Sequence, residues 1–138
     1  MAFIWKKHLS VGNALLDDEH KKLIGLINIM EYAVEKKDCL ALLAAIRQFT
    51  ECLCVHFQTK SRFARVFDFD LPMVSHQYLL NELQHTRDEL EAWAGKWSEY
   101  VMDHYPKFLR DWLIGHITEE DMAMKAILQT HPYHFEPV

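Results

Sequence analysis

The chain has 138 residues, of which half are hydrophobic and a quarter are charged, and its formal net charge is −5. This length and hydrophobic content predict one domain with a buried core, and the negative charge argues against a nucleic-acid surface. No apolar run approaches about 20 residues, so we expect no membrane span.

The first predicted elements are an irregular arm over residues 1–12, anchored by Trp5, and a helix over 13–37. Apolar residues recur along this helix at steps of three and four, as on the buried face of an amphipathic helix. One member of this inward stripe is His20. The stripe consists of Leu16, His20, Leu23, Ile27, Met30 and Val34.

A second helix is predicted over 38–67, with Asp38 as its N-cap. Its inward stripe contains His56 and, one turn later, Lys60. A lysine on a buried face is not an ordinary solvated charge. The stripe consists of Leu42, Ala45, Phe49, Cys52, His56, Lys60, Phe63 and Phe67.

A third helix is predicted over 72–97, with Pro72 in its first turn, where a proline costs no hydrogen bond. His76 and Leu80 lie on its inward face. His85 comes nine residues after His76, on the opposite face, and is interpreted as a surface residue. Its spacing from Glu82 resembles a ferritin-type metal motif, but the matching glutamates on the other helices are missing.

The fourth predicted helix spans 103–129, with Pro106 in its first turn, and residues 130–138 form an irregular tail. His116 belongs to its apolar stripe, and Asp121 follows five residues later, about 140° round an α-helix. Four helices with short connections predict an all-α, antiparallel up-and-down four-helix bundle. We treat residues 1–138 as a single domain, with the bundle over 13–129.

The three cysteines, Cys39, Cys52 and Cys54, lack CxxC spacing, and their odd number predicts neither a disulfide framework nor a zinc knuckle. We therefore expect a reducing, cytoplasmic location. Cys52 is interpreted as a small core residue rather than a metal ligand or a redox-sensitive thiol.

Four histidines lie on the inward stripes of four different helices, at depths compatible with one level of the bundle. Each imidazole carries one donor and one acceptor that need partners when buried. Imidazole and carboxylate together form a ligand set for iron, zinc, copper or nickel. The candidate ligands are His20, His56, His76, His116 and Asp121.

Several motifs resemble those of the hemerythrins, especially the bacterial ones. They are Asp17-Asp18-Glu19-His20, His56-Phe57, His76 and Trp112-Leu113-x-x-His116-Ile117-x-x-x-Asp121. The resemblance covers nearly the whole chain and implies a four-helix bundle that holds a non-heme di-iron centre and binds O2. It implies that His20 and His56 serve one iron, His76 and His116 the other, and Asp121 bridges the two.

The resemblance fails at two ligand positions. Lys60 stands where the family has a bridging glutamate, and Leu80 stands where it has a histidine. Two unit charges 4 Å apart repel by about 4 kcal/mol at an effective dielectric of 20, so an ammonium at Lys60 opposes two cations beside it. Lys60 has three alternatives: it can lose its proton, extend to solvent, or form an ion pair with Asp121 or Glu120. We predict the ion pair.

These substitutions predict a hemerythrin-like protein with a degenerate non-heme iron site and fewer than two irons per chain. Its expected role is iron sensing or gas sensing, storage or detoxification, with O2 or another small gas as the partner and no enzymatic activity. A metal-free bundle that acts as an interaction module is the alternative. An ordinary di-iron, O2-binding bacteriohemerythrin is the second alternative.

Overall fold

The computed structural model describes residues 2–70, 73–92 and 97–137. Four helices dominate the fold: α1 (Ala14–Glu35), α2 (Cys39–Phe67), α3 (Met73–Ala92) and α4 (Glu99–Gly115). The last helix continues through a π-helical segment (His116–Asp121) and a 3-10 turn (Met122–Met124) into a short α5 (Lys125–Leu128). Helix α1 packs against α2 and α4, and α2 packs against α3. The predicted all-α helical bundle is confirmed, and the described residues contain no strand.

The predicted bounds of the first two helices agree with the structure to within two residues. Their ends are set by local chemistry, since the Asn13 side chain accepts hydrogen bonds from the backbone N–H groups of Leu15 and Leu16. Asp38 caps α2 by accepting from the N–H of Ala41. At the other end of α2, Asp68 adopts a left-handed conformation and its N–H bonds back to the helix, which stops the helix.

The structure describes helix α3 over Met73–Ala92. The predicted first-turn residue Pro72 and residues 93–96, which precede the predicted end at Trp97, lie outside the described residues. Helix α4 begins at Glu99, four residues before the predicted start near Asp103, and the predicted placement of Pro106 in its first turn is wrong because the proline lies inside the helix. Burial of Met102 in the core, with its sulfur 3.7 Å from the Cys39 thiol, extends the helix upstream of the proline.

The core consists of two apolar clusters. The larger contains residues from all four helices, among them Ile27, Phe49, Leu83 and Leu113. The smaller lies nearer the chain ends and contains Val11, Leu16, Phe63, Met124 and Leu128. A layer of polar residues separates the two clusters on three helices: His20 lies between Leu16 and Leu23, Lys60 between Phe57 and Phe63, and Asp121 between Ile117 and Met124.

Helix α2 is long and apolar enough to cross a membrane by length and composition alone. Half of its apolar 18-residue stretch is buried inside the protein. The core helix of a bundle can have the same length and composition without crossing a membrane. The expectation of no membrane span therefore remains a prediction.

The arm and the tail meet at the start of α1. The buried carboxylate of Asp17 accepts hydrogen bonds from the Ser10 hydroxyl (2.5 Å), the Val11 N–H (2.9 Å) and the Tyr133 hydroxyl (2.9 Å). The pKa of Tyr133 is raised to about 12, mainly by burial and next by this hydrogen bond to Asp17. The tail is irregular, as predicted, but Asn13 also binds it by donating to the Phe135 carbonyl (2.7 Å).

We expect Asp17→Ala to destabilise the protein by about 3 kcal/mol, because three donors lose a charged acceptor and two of them are at least partly buried. The measurement is the free energy of unfolding in urea. Asp18→Ala is the matched control: its carboxylate is exposed, and a change of about 0.5 kcal/mol or less is expected there. Equal losses in the two variants would contradict the role assigned to Asp17.

Candidate metal centre

The polar layer brings the predicted ligands together. His20 and His56 have no exposed surface, Asp121 is 1% exposed, and His76 and His116 are each 4% exposed. The prediction that four histidines from four helices converge inside the bundle is confirmed. They do not form one group, however, because the structure divides the donors into two groups that share His116.

The first group consists of His20, His56, His116 and Asp121, and all four are buried. Oδ2 of Asp121 lies 2.6 Å from His20 Nε2, 3.2 Å from His56 Nε2 and 3.0 Å from His116 Nε2. The Nε2 atoms of His56 and His116 are 3.3 Å apart. Three ring nitrogens and one carboxylate oxygen therefore face a common point.

Two glutamates orient the rings from outside this group. His56 Nδ1 donates to Glu19 Oε1 (2.7 Å), and the other oxygen of Glu19 accepts from the Thr59 hydroxyl (2.7 Å). His116 Nδ1 lies 3.2 Å from Glu120 Oε2. A carboxylate that accepts the Nδ1–H leaves Nε2 of the same ring free to bind a metal.

The histidines respond differently to burial. Burial lowers the pKa of His56, but its hydrogen bonds with Asp121 and Glu19 outweigh burial and leave that pKa raised. Burial lowers the pKa of His20, and the hydrogen bond to Asp121 offsets this only in part. Nδ1 of His20 has no hydrogen-bond partner within the part of the chain that the structure describes.

The π-helical segment explains how His116 and Asp121 meet. At α-helical pitch, five residues separate two side chains by about 140°, but in a π-helix the hydrogen bond joins residues i and i+5, so their side chains come close to alignment. The segment His116–Asp121 therefore directs both donors to one side. It also brings in Glu120, a site residue that the sequence reasoning used only as a possible partner of Lys60.

Lys60 is fully buried, and its predicted ion pair is confirmed. Nζ lies 2.6 Å from Asp121 Oδ1, donates a short hydrogen bond to Glu120 Oε1, and lies 3.4 Å from His116 Nε2. The side chain does not extend to solvent. The lysine therefore joins the carboxylates of two neighbouring residues on the π-helical segment.

Both carboxylates are held in their ionised form. Burial alone would raise the pKa of Asp121, but its hydrogen bonds with His116, His20 and His56 keep that pKa well below its usual range. Burial would likewise raise the pKa of Glu120, and hydrogen bonds with His116, His76 and Lys60 keep it well below its usual range. The centre therefore holds two ionised carboxylates, those of Asp121 and Glu120, beside the buried Lys60.

His76 lies apart from the first group. Its Nε2 makes a short contact with Glu120 Oε1, and its ring stacks on Phe57 with centroids 4.0 Å apart. Together with His116 and Glu120 it forms the second group of possible ligands. Leu80, one turn later, is half-buried and packs against the larger apolar cluster, and His85 is exposed, as predicted.

The donors fit one metal ion. Ligands bound about 2.0–2.2 Å from a metal lie roughly 3 Å from one another. In the first group, the carboxylate oxygen lies 2.6–3.2 Å from the three ring nitrogens, two of these nitrogens are 3.3 Å apart, and all four donors lie within 4.8 Å of one another. The second group, His76, His116 and Glu120, shares His116 with the first, and its Glu120 carboxylate also binds the Lys60 ammonium. Leu80 also supplies no donor.

A helical bundle with an interior layer of histidines and carboxylates defines a class of metal-binding bundle protein. Residues 11–128 match the family model described as the hemerythrin HHE cation binding domain, and the chain belongs to the hemerythrin family. The predicted resemblance is thereby confirmed.

Two kinds of relative illustrate this membership. A hemerythrin-like protein of Naegleria gruberi is 28% identical over 127 residues, which cover 91% of this chain and 93% of the relative. A bacteriohemerythrin of Pseudomonas aeruginosa is 22% identical over 121 residues, which cover 86% of this chain and 76% of the relative.

The sequence reasoning missed the orienting residues Glu19 and Thr59. Glu19 stands directly before His20 in the quoted motif, but its carboxylate serves His56 on another helix. The position of Glu19 in sequence, next to one candidate ligand, gives no indication of a contact with another. Only the packing of α1 against α2 shows the bond that it makes.

Proposed function

We propose that this protein binds one non-heme transition metal ion, iron in the first place, through His20, His56, His116 and Asp121. The observation that carries the proposal is the convergence of four buried donor atoms beside a buried lysine. Bound iron would supply reversible binding of O2 or another small gas. We propose a binding role in sensing, storage or detoxification rather than catalysis.

The charges around the centre support a single divalent ion. Asp121, Glu120 and Glu19 are the carboxylates that contact the histidines, and Lys60 is the cation beside them. With neutral imidazoles, three carboxylates and one ammonium leave two negative charges, which one divalent ion balances. A pair of trivalent irons would leave an excess of buried positive charge, which is costly.

The chain's own residues prepare the site for such an ion. Glu19 and Glu120 hold the rings of His56 and His116 with Nε2 facing inward, which reduces the ordering that metal binding requires. The apolar clusters on either side restrict water. The three cysteines are free, which accords with our proposal of a cytoplasmic location.

A metal-free bundle that acts as an interaction module is the second candidate. The observation that favours it is the Lys60–Asp121 ion pair, which gives the carboxylate a partner other than a metal. On this alternative, the histidines and acids form a polar core network, and the function resides on the surface.

Metal content separates the candidates. After anaerobic reconstitution with iron(II) and removal of excess metal, we expect about one iron per chain, bound by a three-histidine, one-carboxylate donor set. His20→Ala should reduce the iron content at least roughly tenfold, since ligand loss removes a coordinate bond. His85→Ala, which removes an exposed histidine, is the control and should retain its iron.

Elemental analysis and the absorption spectrum give the readout. No retained iron in the parent protein would support the metal-free module instead. Two tightly held irons, with an oxo-bridged absorption spectrum that changes on addition of O2, would show that the ordinary di-iron alternative is correct.

A further inference from the structure

Lys60 lies directly beside two atoms of the proposed metal-binding group. Its Nζ is 2.6 Å from Asp121 Oδ1 and 3.4 Å from His116 Nε2. Because the side chain has no exposed surface, solvent does not screen its charge as it would at the protein surface. A ligand bound to the metal on this side therefore meets an ammonium group.

The hydrogen-bonding capacity of Nζ is only partly used once a metal binds. A lysine ammonium has three N–H donors. One donates to Glu120 Oε1 and another to His116 Nε2, whereas Asp121 Oδ1 lies close as an ion pair and accepts no hydrogen bond from the described residues. A metal would occupy the lone pair of His116 Nε2, so the N–H that donates to it then needs another acceptor, which an added anionic ligand can supply.

We propose that Lys60 determines how tightly this centre binds a small anionic ligand, such as azide, at its metal. This inference rests on the proposed single-metal function and adds to it a residue that determines ligand affinity. Lys60 has opposite effects on the two partners: its charge opposes the metal cation and favours the anion bound to it. A residue with a merely structural role would not produce effects of opposite sign.

The test uses the full-length protein loaded with cobalt(II), with azide as the anionic probe. Dissociation constants for cobalt and for azide are measured by visible absorption at one pH and one ionic strength. In Lys60→Met, we expect azide to bind roughly tenfold to a hundredfold more weakly and cobalt roughly tenfold more tightly than in the parent. Lys107→Met removes an equal charge from an exposed position on α4 and should change neither constant.

A second variant keeps the test decisive if Lys60→Met does not fold. Glu120→Gln removes one of the two carboxylates that neutralise Lys60, so azide should bind more tightly and cobalt more weakly. Equal azide affinities in parent, Lys60→Met and Glu120→Gln, with cobalt bound in each, would overturn this inference and leave the single-metal site intact. A parent protein that takes up no cobalt would overturn the proposed function itself.

Discussion

Lys60→Glu combined with Leu80→His should raise the iron content from about one to about two per chain, because it restores a bridging carboxylate and a histidine to the second metal position. In the parent, the Lys60 ammonium contacts both Asp121 and Glu120, and Leu80 packs against the apolar core. The double variant removes the cation and adds two donors. Elemental analysis and the absorption spectrum after reconstitution measure the outcome.

The stability of the same variant provides an independent readout. Without metal, an introduced carboxylate beside the buried Asp121 and the partly buried Glu120 places three acids together, so the melting temperature should fall below that of the parent. Iron should then raise it more than it does in the parent, since metal binding adds to folding stability. Lys107→Glu makes the same charge change at an exposed position and should show neither effect. Iron uptake that stays at the parent's level would mean that the ligand geometry differs from that of the family.

Asp121→Asn should destabilise the metal-free protein by about 3–5 kcal/mol, because breaking a buried ion pair leaves an uncompensated charge. Lys60 is fully buried and Asp121 is 1% exposed. Glu120 still contacts the lysine, but its side chain is 25% exposed and can compensate only part of the loss. The free energy of unfolding in denaturant is the measurement, with a chelator present so that metal does not contribute.

A thermodynamic cycle isolates the pair itself. Lys60→Met with Asp121→Asn should recover much of the loss seen in Asp121→Asn alone, because both charges are then absent. Asp18→Asn, which neutralises an exposed acid, is the control for loss of a carboxylate. A coupling energy near zero would remove the ion-pair description and leave the metal as the partner that Asp121 needs.

Helical periodicity and caps were sufficient to predict most of the bundle. The stripes through His20 and His56 identified the buried faces of α1 and α2, and Asp38 marked the start of α2, because burial and capping depend on residues close together in sequence. The motifs that resemble those of the family contain the same histidines and Asp121, so they indicated the same candidate ligands. The substitutions at Lys60 and Leu80 were visible in the sequence because both positions lie at fixed spacing from those motifs.

The tertiary structure alone decided how these residues combine. Hydrogen bonds between i and i+5 over His116–Asp121 turn Asp121 and Glu120 toward the centre, and neither spacing nor helix propensity predicted that segment. Packing of α1 on α2 places Glu19 against His56, and burial of Met102 moves the start of α4 upstream of Pro106. These features depend on contacts between residues distant in sequence, which local patterns do not contain. The sequence by itself determined which donors and which cation face the interior, and the fold decided that Lys60 binds two acids beside a four-donor group.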